Sequence, residues 1–344
     1  MIECMKVELS ERSDYLKEKK VETIYFGGGT PSIIETRYIG ELLDKIKEQF
    51  HVSKDVEITM EFNPDDVYGK NIHELKKIGI NRLSIGIQSF HDKDLVFMNR
   101  SHNAKQAVSA VNIASRNGIT NITIDLIYGL PGQTNKMWED NISKLSNLNI
   151  NHFSAYALTV EPNTHLEYLI RKNKIPIIED GLAEKHFKIL QKRSEEMGYV
   201  QYEISNFCKN NMFAKHNSSY WKNKWYLGIG PSAHSFNGSE RQWNIASNSK
   251  YISNLKNKKS FFETELLNQK EKYNEYVLTS LRTIWGAETS YLNTNFDKKI
   301  NQHFEGACQK WISNKKMLKE NGVFKLTKEG MLFADAISSD LFFL

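Results

Sequence analysis

Through the first two thirds of the chain, short apolar runs alternate with stretches whose apolar residues recur at helical spacing. Ile24-Tyr25-Phe26 leads into a glycine cluster. Residues 56–61 form a β-branched run that closes on Glu61, and 82–87 stops at Gln88. Residues 122–128 carry Asp125, and a further run covers 153–160. Between the first two runs, Ile39, Leu42, Leu43, Ile46 and Phe50 fall on one helical face, and 107–114 and 183–197 also read as helices. Repeated strand–helix units predict an α/β fold of parallel strands joined by right-handed crossovers. In such sheets and barrels, ligand-handling groups sit at the C-terminal strand ends. Residues 27–30, Glu61, Gln88 and Asp125 fall at those ends.

The pattern changes after about residue 240. Residues 250–259 are polar and lysine-rich, and 273–284 read as an amphipathic helix. Near the end, Trp311, Ile312, Met317 and Leu318 precede Glu320-Asn321-Gly322 and a strand-like Val323-Phe324-Lys325-Leu326. Helices followed by a glycine turn and a short strand read as a small winged-helix-like unit, taken here as a structural cap rather than a DNA reader. The expected division is therefore 1–240 and 241–344.

Charge narrows the function classes. Lys and Arg number 46 against 41 Asp and Glu, for a net charge of +5, so no nucleic-acid footprint is expected. The three cysteines, Cys4, Cys208 and Cys308, are far apart, which excludes a disulfide framework and a metal-ligand spacing and fits a reducing compartment. The first residues lack the apolar core of a signal peptide, no run approaches a membrane span, and a cytoplasmic protein is expected.

Three consecutive glycines, Gly27, Gly28 and Gly29, followed by Thr30-Pro31, remove every Cβ from a loop that follows a strand, so its backbone can approach a ligand closely. The spacing matches neither a P-loop nor a dinucleotide fingerprint. Glu61-Phe62-Asn63-Pro64-Asp65 ends the next strand with a carboxylate that can accept from an ammonium or a ribose hydroxyl. Ser84-Ile85-Gly86-Ile87-Gln88-Ser89-Phe90, then Asn99-Arg100, then Ile124-Asp125-Leu126-Ile127-Tyr128-Gly129-Leu130-Pro131-Gly132-Gln133 complete the set.

Each piece is common; their order is not. Together they resemble the radical SAM proteins of the HemW/HemN family, from about Glu22 to the C-terminus and including Tyr156-Ala157-Leu158. The resemblance implies a partial (β/α)6 TIM-like barrel with a small C-terminal helical domain. It also implies an S-adenosylmethionine site lined by Gly28, Gly29, Thr30, Glu61, Gln88, Arg100, Asp125 and Ala157. Arg100 suits the carboxylate of that cofactor; Glu61 and Asp125 suit its hydroxyls and positive groups. The family also holds a 4Fe-4S cluster on a Cys-x-x-x-Cys-x-x-Cys loop. That motif is missing here, and by position Cys4 lies in the following helix. The expectation is a chain that begins downstream of the loop and the first barrel strand, and that does not cleave adenosylmethionine reductively.

A second group of motifs comprises Tyr202-Glu203-Ile204-Ser205-Asn206-Phe207, His216-Asn217-Ser218-Ser219-Tyr220-Trp221 and Tyr226-Leu227-Gly228-Ile229-Gly230-Pro231-Ser232-Ala233-His234-Ser235. The form His-Asn-x-x-Tyr-Trp resembles the haem-chaperone branch of the family. An imidazole is a good axial haem ligand and aromatics can cover a macrocycle. His216 is the haem candidate and His234 a weaker one, its alternative being a loop residue near the cofactor pocket. The resemblance therefore implies a chaperone that takes haem to an acceptor protein, with membrane contact only through that acceptor. The competing class is an enzyme, an oxygen-independent coproporphyrinogen III dehydrogenase, and a third reading is an inactive scaffold.

Overall fold

The computed structural model of the chain describes residues 1–175 and 181–344. In order come α1 (Ile2–Glu11), β1 (Lys20–Phe26), α2 (Thr36–Gln49), β2 (His51–Phe62), α3 (Gly69–Ile78), β3 (Arg82–Gln88), α4 (Asp92–Phe97) and α5 (Ala104–Arg116). There follow β4 (Ile122–Tyr128), α6 (Asn135–Asn147), β5 (His152–Ala157), α7 (His165–Arg171), α8 (Leu182–Glu196), β6 (Val200–Glu203) and β7 (Asn206–Cys208). The seven strands form one sheet in the order β1-β2-β3-β4-β5-β7-β6. The pairs β2/β3, β3/β4 and β4/β5 are parallel, and the β6–β7 hairpin adds antiparallel to β5. The α/β fold expected from the pattern, and the partial barrel that the family resemblance implies, are the fold observed.

Two compact units divide the described residues. One comprises Tyr25–Ile33 and Ile58–Phe213; the other comprises Met1–Ile24, Ile34–Glu57 and Ala214–Leu344.

In the first unit, strand periodicity sorts side chains into two unlike faces. Ile58, Met60, Leu83, Ile85, Ile87, Ile122, Ile124, Leu126, Phe153 and Ala155 are all buried on one face. The apolar sides of the helices supply its counterpart, with Ile72 and Leu75 of α3, Ala107, Ala110 and Val111 of α5, and Trp138, Ile142 and Leu145 of α6 buried. The alternate positions are polar: Thr59, Glu61, Arg82, Ser84, Gln88, Thr123, Asp125, His152 and Ser154. A closed barrel normally fills its interior with branched aliphatics. This sheet carries polar groups there instead, tied across strands: Thr123 Oγ1 lies 2.6 Å from His152 Nδ1, and His152 Nε2 lies 2.8 Å from Tyr202 Oη.

The second unit adds α9 (Lys215–Trp221), β8 (His234–Phe236), β9 (Glu240–Asn244), α10 (Asn248–Lys256), β10 (Phe262–Leu266) and α11 (Gln269–Leu281). It closes with β11 (Ala287–Glu288), α12 (Thr289–Asn295), α13 (Lys298–Ser313), β12 (Met317–Glu320), β13 (Val323–Leu326), α14 (Lys328–Met331) and α15 (Ala334–Asp340). One small sheet runs β10-β9-β8 and another β11-β13-β12. The β12–β13 hairpin turns on Asn321 and Gly322, both at positive φ (47° and 78°), as a two-residue primed turn requires. With α12 and α13 this gives the winged-helix-like unit read from the sequence. The lysine-rich stretch after 240 covers α10, which buries Tyr251 and Leu255 in a cluster with Cys4 and Phe261.

Beneath the loop that precedes β8, α1 contributes a buried ion pair. Glu8 and Arg12 meet at 3.2 Å with both side chains nearly inaccessible. Glu8 accepts from Tyr251 Oη at 2.5 Å, Asn244 Nδ2 at 2.7 Å and Gly230 N–H at 2.8 Å. Arg12 donates to Gln242 Oε1 at 2.6 Å, Ser235 Oγ at 3.1 Å and the Gly228 carbonyl at 3.3 Å. Among the described residues, no helix is long and apolar enough to cross a membrane.

Candidate functional site

The glycine loop leaves β1 with Gly28 at φ 112°, a backbone only glycine adopts without strain. Its N–H donates to Glu61 Oε2 at 3.3 Å, and Tyr25 Oη donates to Glu61 Oε1 at 2.7 Å. Gly27 is required by space: a Cβ there would lie 2.6 Å from the Tyr25 ring and 2.9 Å from Glu61 Oε1. A Cβ on Gly28 or Gly29 would meet no heavy atom within 4 Å, so that backbone lies open. The loop glycines thus serve two purposes, one close packing and the other access.

Glu61 pairs in register with Ser84 on β3, and Asp125 pairs with Ser154 on β5. Ser84 Oγ donates to Asp125 Oδ2 at 3.3 Å. Burial pushes the Asp125 carboxyl up to about 6, with the charge of Glu61 adding to the rise and the hydrogen bond from Ser154 opposing it. Burial and the neighbouring Glu61 also raise the Tyr25 phenol well above its ordinary value, so it remains a donor.

Gln88 sits at φ 67° just after an irregularity in the β3/β4 register that begins at Ile85. A side chain there is strained, and the irregularity re-aims it. Its amide lies over Gly86, where a Cβ would come within 2.9 Å of Gln88 Nε2 and 3.6 Å of Arg100 Nη2. Arg100 donates to Asn63 Oδ1 at 2.8 Å and to the Gly86 carbonyl at 3.3 Å, while its buried Nε has no acceptor. Ala157 is exposed at the end of β5, opposite Tyr128.

The structure therefore gathers Gly28, Glu61 and Asp125 with Ser84 and Ser154, and Gln88 with Gly86, Arg100 and Asn63. Glu61 and Gln88 close β2 and β3 as expected, whereas Asp125 stands in the middle of β4, with Ser84 and Ser154 likewise inside β3 and β5. Thr30 makes no side-chain hydrogen bond to any of the others among the described residues. Sequence reasoning passed over Tyr25, Asn63, Ser84 and Ser154. The signal for Ser84 and Ser154 was present, since both alternate with aliphatics on the same strand face as Glu61 and Asp125.

The histidine candidates lie in the other unit. His216 is the second residue of α9, whose first N–H groups are taken by the buried Glu57 of β2: Lys215 N–H at 3.1 Å and His216 N–H at 2.9 Å. The imidazole Nδ1 lies 2.9 Å from Thr23 Oγ1 and Nε2 lies 2.9 Å from Tyr220 Oη. Tyr220 packs edge-on against Tyr226 at 4.8 Å. Trp221 faces the Arg282 guanidinium at 5.2 Å. His234 is exposed; it stands opposite Trp243 in β9, and its backbone closely flanks Gly228.

Cys4, Cys208 and Cys308 are all buried, and burial pushes the latter two thiols up to about 11 and 12. They stand in α1, β7 and α13, and among the described residues no three His, Cys, Asp or Glu side chains gather as a metal site. These thiols do not fit an iron–sulfur cluster.

The Radical SAM superfamily profile matches residues 6–145. A Bacillus subtilis protein, heme chaperone HemW, is 31% identical over 319 residues, 92% of this chain and 84% of that one. The chain belongs to the HemW/HemN-like radical SAM family. The Haemophilus influenzae heme chaperone HemW is 37% identical over 68% of this chain and 60% of its own length. The structure of Escherichia coli coproporphyrinogen III oxidase (HemN), titled a radical SAM enzyme, superposes with a TM-score of 0.80, covering 98% of this chain and 82% of that one at 21% identity. That likeness is one of fold. The radical SAM family implies adenosylmethionine and a 4Fe-4S cluster; the open glycine loop and the carboxylates Glu61 and Asp125 fit the first.

Proposed function

We propose that the chain is a haem chaperone, binding haem as cargo and passing it to an acceptor protein. The observation that carries this reading is 31% identity along 92% of the chain to a protein named for that activity. The His-Asn-x-x-Tyr-Trp segment supports it, because Glu57 holds the His216 backbone N–H while Thr23 and Tyr220 engage the two ring nitrogens. His216 is the iron ligand in this reading, with His234 the second imidazole available. The acceptor brings the protein to any membrane it meets, and the chain itself works in the cytoplasm without nucleic acid. The dehydrogenase reading rests on a fold shared at 21% identity and draws no support from the thiols present.

Gly28, Gly29, Thr30, Glu61, Gln88, Arg100, Asp125 and Ala157 are the residues we assign to adenosylmethionine. Bound there, the cofactor supplies an ammonium, a carboxylate, a sulfonium and two ribose hydroxyls for recognition. Glu61 and Asp125 face the positive groups and hydroxyls, and the unpaired Arg100 Nε is a donor for the carboxylate. The test of the haem reading is a titration of hemin into the purified chain, followed in the Soret region, with His216→Ala alongside. A shifted band that weakens at least tenfold in the variant is expected. An unshifted band, or the same titration curve for both proteins, would overturn the assignment.

A further inference from the structure

The neighbours of His216 imply a control on its ligand chemistry. In the structure both ring nitrogens are engaged, Nδ1 with Thr23 and Nε2 with Tyr220, each at 2.9 Å. A hydroxyl can donate or accept, so either neutral tautomer of the ring is satisfied between these two groups. Iron removes that symmetry. A ligating nitrogen must present its lone pair, so iron on Nε2 leaves the ring proton on Nδ1. Thr23 Oγ1 is then the acceptor of that proton, the outer partner that orients a metal-bound imidazole and raises its basicity. Tyr220 stands in the opposite role: its hydroxyl occupies the direction from Nε2 along which iron would bind.

The two hydroxyls differ in freedom. Thr23 lies within β1. Tyr220 sits one turn along α9 from His216, on the same helical face, and is 39% exposed. Its ring leans edge-on against Tyr226, so the phenol can leave Nε2 while the aromatic contact at 4.8 Å persists. Glu57 fixes the helix start beneath the ring, so the hydroxyl and not the backbone is the movable part.

We propose that Thr23 and Tyr220 set the haem affinity of His216, Thr23 by accepting the Nδ1 proton of the ligating tautomer and Tyr220 by holding the Nε2 position that iron must take. Both are positioning residues. The inference rests on His216 being the haem ligand. It predicts a chaperone whose cargo is held less tightly than an unobstructed imidazole would hold it, which suits a protein that must release haem.

The experiment is a hemin titration of the full chain, read at the Soret band, for the unchanged protein and for Tyr220→Phe, Thr23→Val, Thr23→Ser and His216→Ala. Loss of the shifted band in His216→Ala establishes the ligand. Tyr220→Phe keeps the ring and removes the hydroxyl, and should bind hemin about fivefold more tightly, the worth of one ordinary hydrogen bond. Thr23→Val should weaken binding by about tenfold or more, and Thr23→Ser should restore it. Equal or weaker binding by Tyr220→Phe overturns the obstruction and points instead to the phenol as a ligand. Unchanged binding by Thr23→Val, or no rescue by serine, overturns the tautomer role. A shifted band that survives in His216→Ala sinks the ligand assignment itself, a result distinct from either of the others. Thermal melts of each variant separate these effects from loss of fold.

Discussion

At the residue scale, the candidate pocket turns on a carboxyl whose charge is held back. Asp125 sits on the polar face of β4 with its pKa raised from 3.8 to about 6, chiefly by burial. Its folded value lies above its unfolded one. Folding therefore favours the protonated form, and that contribution is complete below about pH 4 and lost as pH rises through 6. Asp125→Asn removes the dependence. The variant should match the unchanged protein near pH 4 and be more stable above pH 7 by about 2 kcal/mol, at 1.36 kcal/mol per pKa unit with allowance for partial exposure. Melting curves at pH 4, 5.5 and 7.5 check this; a variant less stable at pH 7.5 would show that Asp125 is charged and well paired in the fold. Asp125 was legible because a carboxylate in an apolar run stands out, although it lies in the middle of β4 and not at its end. Tyr25 was not, since a tyrosine beside Ile24 and Phe26 reads as core until Glu61 is placed against it.

At the element scale, α9 shows how a short helix acquires a fixed start. Ala214 precedes it and offers no side chain to cap the first N–H groups. Glu57, distant in sequence and 6% exposed, supplies the carboxylate. Glu57→Ala should cost about 1–2 kcal/mol, the worth of a lost cap, and should broaden the Soret change on hemin addition. Glu57→Gln, which retains one acceptor oxygen, should lose roughly half as much. Urea denaturation of the pair measures both, and equal stability of all three proteins would remove the capping role. Nothing local in residues 214–221 announces this cap. By contrast, α2, α5 and α8 were legible because their buried residues recur at helical spacing, as with Ile39, Leu42 and Leu43.

At the scale of the whole molecule, α1 is held in its unit by charge as well as by apolar packing. Glu8 and Arg12 are both buried and each meets at least three other groups. Removing one partner leaves the other charged and unpaired, so Glu8→Ala should destabilise that unit by about 3–5 kcal/mol. Tryptophan fluorescence in urea follows it through Trp225 and Trp243. A loss under about 1 kcal/mol would mean that water reaches Arg12 readily. The small sheet β10-β9-β8 was illegible for a related reason. Gln242, Asn244 and Ser235 look like loop polarity, and are buried only because Arg12 and Glu8 come to meet them.

Periodicity by itself determined the strand–helix alternation, the parallel strands and the placing of Glu61 and Gln88 at strand ends, because those follow from local spacing of apolar groups. Asp125 it placed at a strand end, where the structure has it in the middle of β4. The order of motifs carried the family. Tertiary structure alone decided which polar residues meet across distance: Glu61 with Tyr25 and Gly28, Glu57 with the start of α9, and Thr23 with His216. Such pairings depend on hydrogen bonds between residues tens to hundreds of positions apart, and no spacing along the chain encodes them.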